Sequence, residues 1–195
     1  ENELMSVGFA SVKTTEIGSG DNPALTSVGG SAPVVLSSGD LTINGVLVGA
    51  SLAADDAAST TDPSMSAIAK VAAINRVSEE SGVYAKVNAT AVLGSSMTGA
   101  AISSGSVTIN GVTTSNFSTA TDTSVSRASA VQAINNISDQ TGVVAIDTGD
   151  DTRGVLLNAA DGRNIRLTLT TLTAAATGLG NATATTYGGT FSLYK

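Results

Sequence analysis

Two stretches of the chain place apolar residues three and four positions apart. Val71, Ile74 and Val77 form one stripe; Val131, Ile134 and Ile137, flanked by Ala130 and Ala133, form the other. The opposite positions carry Arg76, Glu79 and Glu80 in the first stretch and Gln132, Asn136 and Asp139 in the second. This is the period of a helix with one buried side. Asp62 stands where it would cap the first helix, with Pro63 at its first position, and Gly82 where the chain must turn out of it. In the second, Asp122 or Thr123 is the cap and Gly142 the stop. Elsewhere the period falls to two. "GVYAKV" and "GVVAID" leave the helices as strands, followed by "RGVLLNA", "NIRLTLTTL" and the closing "TYGGTFSLY". "ELMSVGFASVKT", at residues 3–14, also alternates and is expected to pair near the C-terminal strand. "GSGDNPALTSVGGSAP" and "TGLGNATATT" read as loops.

The pattern occurs twice. "TINGV" stands at Thr42–Val46 and again at Thr108–Val112. Asn-Gly between β-prone residues signals a type I′ hairpin, whose two central residues need positive φ. The helices align at an offset of 60, matching Ser66, Val71, Ala73, Ile74, Asn75, Ser78, Gly82, Val83 and Ala85 with their counterparts. The hairpins align at 66, so the first copy carries six extra residues between hairpin and helix. The chain duplicates one supersecondary unit. The predicted fold class is α+β, mostly antiparallel β with two helices, built from two repeated ββαβ(β) units. Residues 1–99 would hold an N-terminal strand plus the first unit, and residues 100–195 the second unit plus the C-terminal strands. Each unit alone, at roughly 60–70 residues, would bury only about 60% of its unfolded surface, so two together make the more stable body.

Composition narrows the chemistry. Hydrophobic residues make up 42% of the 195 positions but aromatics only 3%, so the core is aliphatic. About a quarter of the chain is Ser plus Thr, well above ordinary usage. The net charge is −7, and nine Lys plus Arg among sixteen acids make no basic stripe for nucleic acid. No apolar run approaches the roughly 20 residues of a bilayer span. There is no Cys and no His, which removes disulfides, thiolate chemistry and the commonest general base and metal ligand. The opening at Glu1, without an initiator Met or leader, is expected of a piece of a longer protein.

The remaining candidates are weak. Asp147, Asp150 and Asp151 in "DTGDDTRG" could offer hard oxygens to Ca²⁺, but the spacing misses the EF-hand pattern, and a solvated turn is the simpler reading. Asp55-Asp56 and Glu79-Glu80 are adjacent acids, and neighbours on a helix point about 100° apart and do not converge. "GLGN" and "GSGD" lack the Lys that follows a phosphate loop. Ser66 and Lys70 are spaced one residue too far for a Ser-x-x-Lys hydrolase. Sequons begin at Asn88, Asn116, Asn136 and Asn181, as chance allows in so hydroxyl-rich a chain. No catalytic, cofactor-binding or metal-binding residue is assigned, and no cofactor is expected.

"LTINGV" and "VTINGV", followed by "AAINRVSEESGVYAKV" and "QAINNISDQTGVVAI", resemble the flagellin hook IN motif of bacterial flagellins and related hook-associated proteins. "NAADGRNIRLTL" and "TYGGTFSL" resemble the outer, variable part of flagellins. The resemblance spans residues 39–193. It implies the surface-displayed, extracellular central region of a filament subunit, contributing to filament surface and antigenicity and doing no chemistry. The polymerising helical arms of that family, and the innate-receptor surface they carry, are not in this sequence, so the isolated fragment is expected to be a monomer. Its implied partners are neighbouring flagellin subunits, through parts of the parent chain missing here, and antibodies, phage or host surfaces, with no nucleic acid and no membrane. Export through the flagellar apparatus would need no cleaved leader. The alternatives are the central region of a hook-associated junction or cap protein, and a surface adhesin or binding module.

Overall fold

The computed structural model describes residues 25–180 and 183–195. The alternating stretch at residues 3–14 lies outside the described residues. Two short strands come first, β1 (Leu25–Thr26) and β2 (Gly30–Ser31), inside a stretch expected to be loop. At two residues each, they owe their strand geometry to their partners rather than to any local pattern. The first unit follows as a hairpin of β3 (Thr42–Ile43) and β4 (Val46–Leu47), helix α1 (Ala67–Asn75), the single turn α2 (Ser78–Ser81) and strand β5 (Tyr84–Val87), with β6 (Thr90–Val92) leading onward. The second unit repeats this order with β7 (Ser106–Ile109), β8 (Val112–Thr113), α3 (Thr123–Asn135), α4 (Ser138–Thr141) and β9 (Val144–Asp147). It continues through β10 (Val155–Ala159) and β11 (Ile165–Thr170), and the chain closes with α5 (Ala174–Thr177), β12 (Thr185–Gly188) and β13 (Phe191–Tyr194). The fold is α+β, and its sheets are antiparallel throughout the described residues.

Both hairpins turn as the Asn-Gly pairs require. Asn44 and Asn110 have φ of 50° and 51°, and the glycines after them 87° in each copy. The helices differ from expectation in two ways. Each is interrupted one turn before its end, at Val77 (φ −112°, ψ 15°) and Ile137 (φ −113°, ψ 9°), so that one expected helix becomes two segments. The cap of α1 is Ser66, whose hydroxyl accepts from the Ala69 N–H, and not Asp62. Asp62 is left-handed, and Pro63 starts a separate 3₁₀ turn over Pro63–Met65 that ends before the helix begins. Asp122 does cap α3, accepting from the Ser124 and Val125 N–H groups. Gly82 and Gly142 close α2 and α4 at φ 67° and 69°.

The strands form a three-stranded sheet β1-β13-β5, a second of β6-β10-β9, a five-stranded sheet β2-β12-β11-β7-β8, and the separate hairpin β3-β4. These layers cross residue 99. β13 lies against β5 with Leu193 opposite Ala85, and β6 lies against β10 with Val92 opposite Leu157. Each unit's helix needs a sheet under its apolar side, and the sheet it finds is completed by the other half of the chain. The second unit packs Ile109, Ile134, Val143, Leu157, Ile165, Leu167 and Leu179 into a fully buried cluster. The first has a smaller cluster around Ile43, Val48, Val71 and Ile74, completed by Phe191 and Leu193 from β13. Each fully buried Ile contributes on the order of 1.5–3 kcal/mol relative to exposure.

Candidate functional site

The residues repeated between the copies are the ones that hold each unit together. Asn75 donates through Nδ2 to the Ala85 carbonyl (3.0 Å) and accepts at Oδ1 from the Ala85 N–H (2.7 Å). Asn135 does the same to Ala145 at 3.0 and 2.8 Å. A carboxamide has both a donor and an acceptor on one edge, so it can mimic a neighbouring strand and dock the end of the helix on β5 or β9. The turn residue Asn44 donates to the Ser81 carbonyl (2.8 Å), and Asn110 to the Thr141 carbonyl (3.1 Å), tying each hairpin to the close of its helix.

The hairpin-to-helix spacer of the first copy, six residues longer than that of the second, bridges the units. Ser59 Oγ accepts from the Asn164 N–H (2.8 Å), and Asn164 Nδ2 donates to the carbonyls of Thr61 and Asp62. Thr60 Oγ1 donates to the Asn110 carbonyl, and Thr186 Oγ1 donates to Asp62 Oδ2. Asp56, buried at the start of this clasp, accepts from the Ala58 and Ser59 N–H groups at 2.8 and 2.9 Å.

The acids singled out in the sequence are largely engaged. Asp147 and Asp151 meet at the guanidinium of Arg127, a residue only 5% exposed that composition and spacing did not flag. Asp147 accepts from Arg127 Nε at 2.7 Å. Burial pushes the Asp147 carboxyl up, but the Gly149 N–H and Arg127 overcome this and hold it below the usual carboxylate range. Burial works against the Arg127 charge too, and the two carboxylates more than offset it. Asp150 instead accepts from the Thr152 N–H and hydroxyl, at 2.8 Å each. "DTGDDTRG" is therefore a turn clamped onto α3 rather than a cradle of convergent oxygens. Asp55 pairs with Arg76, and Glu79 and Glu80 point to solvent. Ser66 is buried as a helix cap, while burial pulls the Lys70 ammonium below its usual pKa, and no hydrogen bond joins the two side chains. Among the described residues no three carboxylates gather as a metal site would need.

The sequons separate by setting. Asn88 donates to Thr190 Oγ1 and Ser192 Oγ, and its partner Thr90 is buried. Asn136 is the C-cap of α3, and Asn116 lies on an exposed segment after β8. Asn181 and "GSGD" lie outside the described residues; in "GLGN", Gly178 is the left-handed residue that ends α5.

Grooves open on the surface among the described residues, and the three best formed have no carboxylate in their walls. One of about 410 Å³ has Gly29, Gly30, Gly188 and Gly189 in its wall, and a smaller neighbour shares these glycines and adds Lys70. The third, about 390 Å³, lies between α3 and the segment after β8. Among the described residues no helix is long and apolar enough to cross a membrane. The chain matches no protein-family model and no curated protein closely enough to assign it a family.

Proposed function

We propose that this chain is the outward-facing, non-catalytic part of a flagellin-type filament subunit, displayed outside the cell and monomeric when isolated. The observation that carries the reading is the duplication. Two units that share the IN-type hairpin and helix also share the same bonds from Asn44 and Asn110, and from Asn75 and Asn135. A module preserved twice for its internal bracing, with its acids paired or solvated, suits a load-bearing surface element. Net charge of −7 opposes lateral clumping, and a hydroxyl-rich exterior keeps it hydrated. Neighbouring subunits would be met through parts of the parent chain outside this sequence.

An antibody raised against this chain and applied as an immunogold label to intact cells of the source organism should decorate filaments along their whole length. Label confined to the filament base or tip would replace this reading with a hook-associated protein. Label on the cell body alone would replace it with an adhesin.

A further inference from the structure

The two copies differ sharply at one place, the groove between the helix and the segment that follows the hairpin. In the first unit this space is spanned by a side chain. Arg76 reaches across it, donating to the Ala50 carbonyl at 3.2 Å and pairing with Asp55 from the longer spacer. The helix positions beneath are Ala69, Ala72 and Ala73. The second unit has the shorter spacer, and its counterparts of Ala69, Ala72 and Arg76 are Ser129, Gln132 and Asn136. There the groove stays open, about 390 Å³ in volume, with Ser115, Asn116, Phe117 and Ser118 forming the opposite wall.

We propose that this open groove is a binding site for a neutral sugar. Its polar lining is all carboxamide and hydroxyl. With no ionised side chain to pair with, neither a phosphate nor an ammonium would find a counter-charge there, and the overall charge of −7 further disfavours anions. Gln132 and Asn136 each present a donor and an acceptor side by side, which matches the adjacent hydroxyls of a sugar ring. Among the described residues neither is engaged by a side-chain hydrogen bond, nor are the hydroxyls of Ser115 and Ser118, so these four are available to a ligand without breaking internal bonds, whereas Asn116 donates to Ser104 Oγ and Ser129 to the Val125 carbonyl. Phe117, half-buried between them, offers an apolar surface to the C–H face of the same ring. The volume lies in the range of small-molecule clefts, roughly 300–1,000 Å³. The first unit supplies the internal comparison, since the same scaffold there carries an arginine at the Asn136 position that spans the equivalent space.

The inference concerns the isolated chain and does not depend on the filament assignment, so each can fail alone. The test is a titration of ¹⁵N-labelled chain with N-acetylglucosamine and with the methyl glycosides of galactose, glucose and mannose, followed by NMR. At least one sugar should give saturable shifts at the side-chain amides of Asn116, Gln132 and Asn136, with a Kd of about 1 mM or tighter. Gln132→Ala should weaken it about tenfold, as loss of one or two hydrogen bonds would. Asn136→Arg, which copies Arg76, should abolish it while leaving the circular dichroism and Tm unchanged. No saturable shift at these amides with any of the four sugars would overturn the proposal. So would shifts produced by ethylguanidinium and not by the sugars, or sugar binding that survives both substitutions.

Discussion

The two Asn-Gly turns have the same backbone, donate to equivalent carbonyls and yet live in different surroundings. Asn44 is exposed, and its hairpin is a two-stranded piece with no further sheet partner among the described residues. Asn110 is only 7% exposed and uses every polar group it has. Besides donating to Thr141, it donates its N–H to the Arg166 carbonyl (3.0 Å), accepts at Oδ1 from the Arg166 N–H (2.9 Å), and accepts at its carbonyl from Thr60. Duplication thus preserved the local solution and let the context diverge. The hairpin of the second copy forms one end of a five-stranded sheet, whereas the first has a small core and a longer spacer that clasps the second.

Substitutions at matched positions sharpen this contrast. The largest effect is expected at the helix centres. Ile134→Asp buries a lone carboxylate in the larger cluster and should cost more than about 4 kcal/mol, abolishing the cooperative thermal transition. Ile74→Asp, in the smaller cluster, should cost less, and equal losses would mean that the two cores act as one. Next comes Arg127, whose counterpart is Ala67. Arg127→Ala should destabilise by about 2–3 kcal/mol in urea unfolding, less than a fully buried pair because Asp147 and Asp151 reach water. The Asp147 pKa is lowered in the folded state, so its contribution is present above the ordinary Asp value of 3.8 and is lost as pH falls through the lowered folded value. The gap between wild type and Arg127→Ala should therefore narrow in strong acid; a pH-independent gap would remove the ion pair from the account.

The turns come third. Glycine tolerates the left-handed backbone, so Asn110→Gly and Asn44→Gly report the side-chain bonds alone, at about 2 and 1 kcal/mol by differential thermal unfolding. The smallest contrast is at the helix ends. Gly82→Ala should cost about 1 kcal/mol for its positive φ. Gly142→Ala should cost about 1 kcal/mol more, because its methyl would stand 2.3 Å from the Arg163 Cζ and displace the bond from Arg163 to the Thr141 carbonyl. Equal melting points for the two alanine variants would mean that the arginine moves aside freely.

What could be read in advance was local. The Asn-Gly turns, the apolar stripes, Asp122 and the closing glycines follow from steric and hydrogen-bonding rules within a few residues. Asn75 and Asn135 were visible as identities between the copies, but their role depends on a strand ten residues later folding back beside them. Arg127 gave no signal, since it sits on a helix whose neighbours are hydroxyls, and its two acids lie 20 and 24 residues away. Ser66 replaced Asp62 as a cap because Pro63 favoured its own 3₁₀ turn. The groove beside α3 became legible only by setting one copy against the other, where an arginine gives way to an asparagine.

The position of β13 also dictates when each half can finish folding. β5 ends near residue 87, yet its neighbour in the sheet begins at Phe191, so that pairing closes a loop of about a hundred residues and carries the entropic delay that distant pairings bring. The second unit draws its hairpin, helix and next three strands from one continuous stretch and can organise as soon as that stretch is available. A chain emerging N-terminus first would therefore complete its later-arriving repeat before its earlier one, with β13 acting as the latch that lets the first repeat settle.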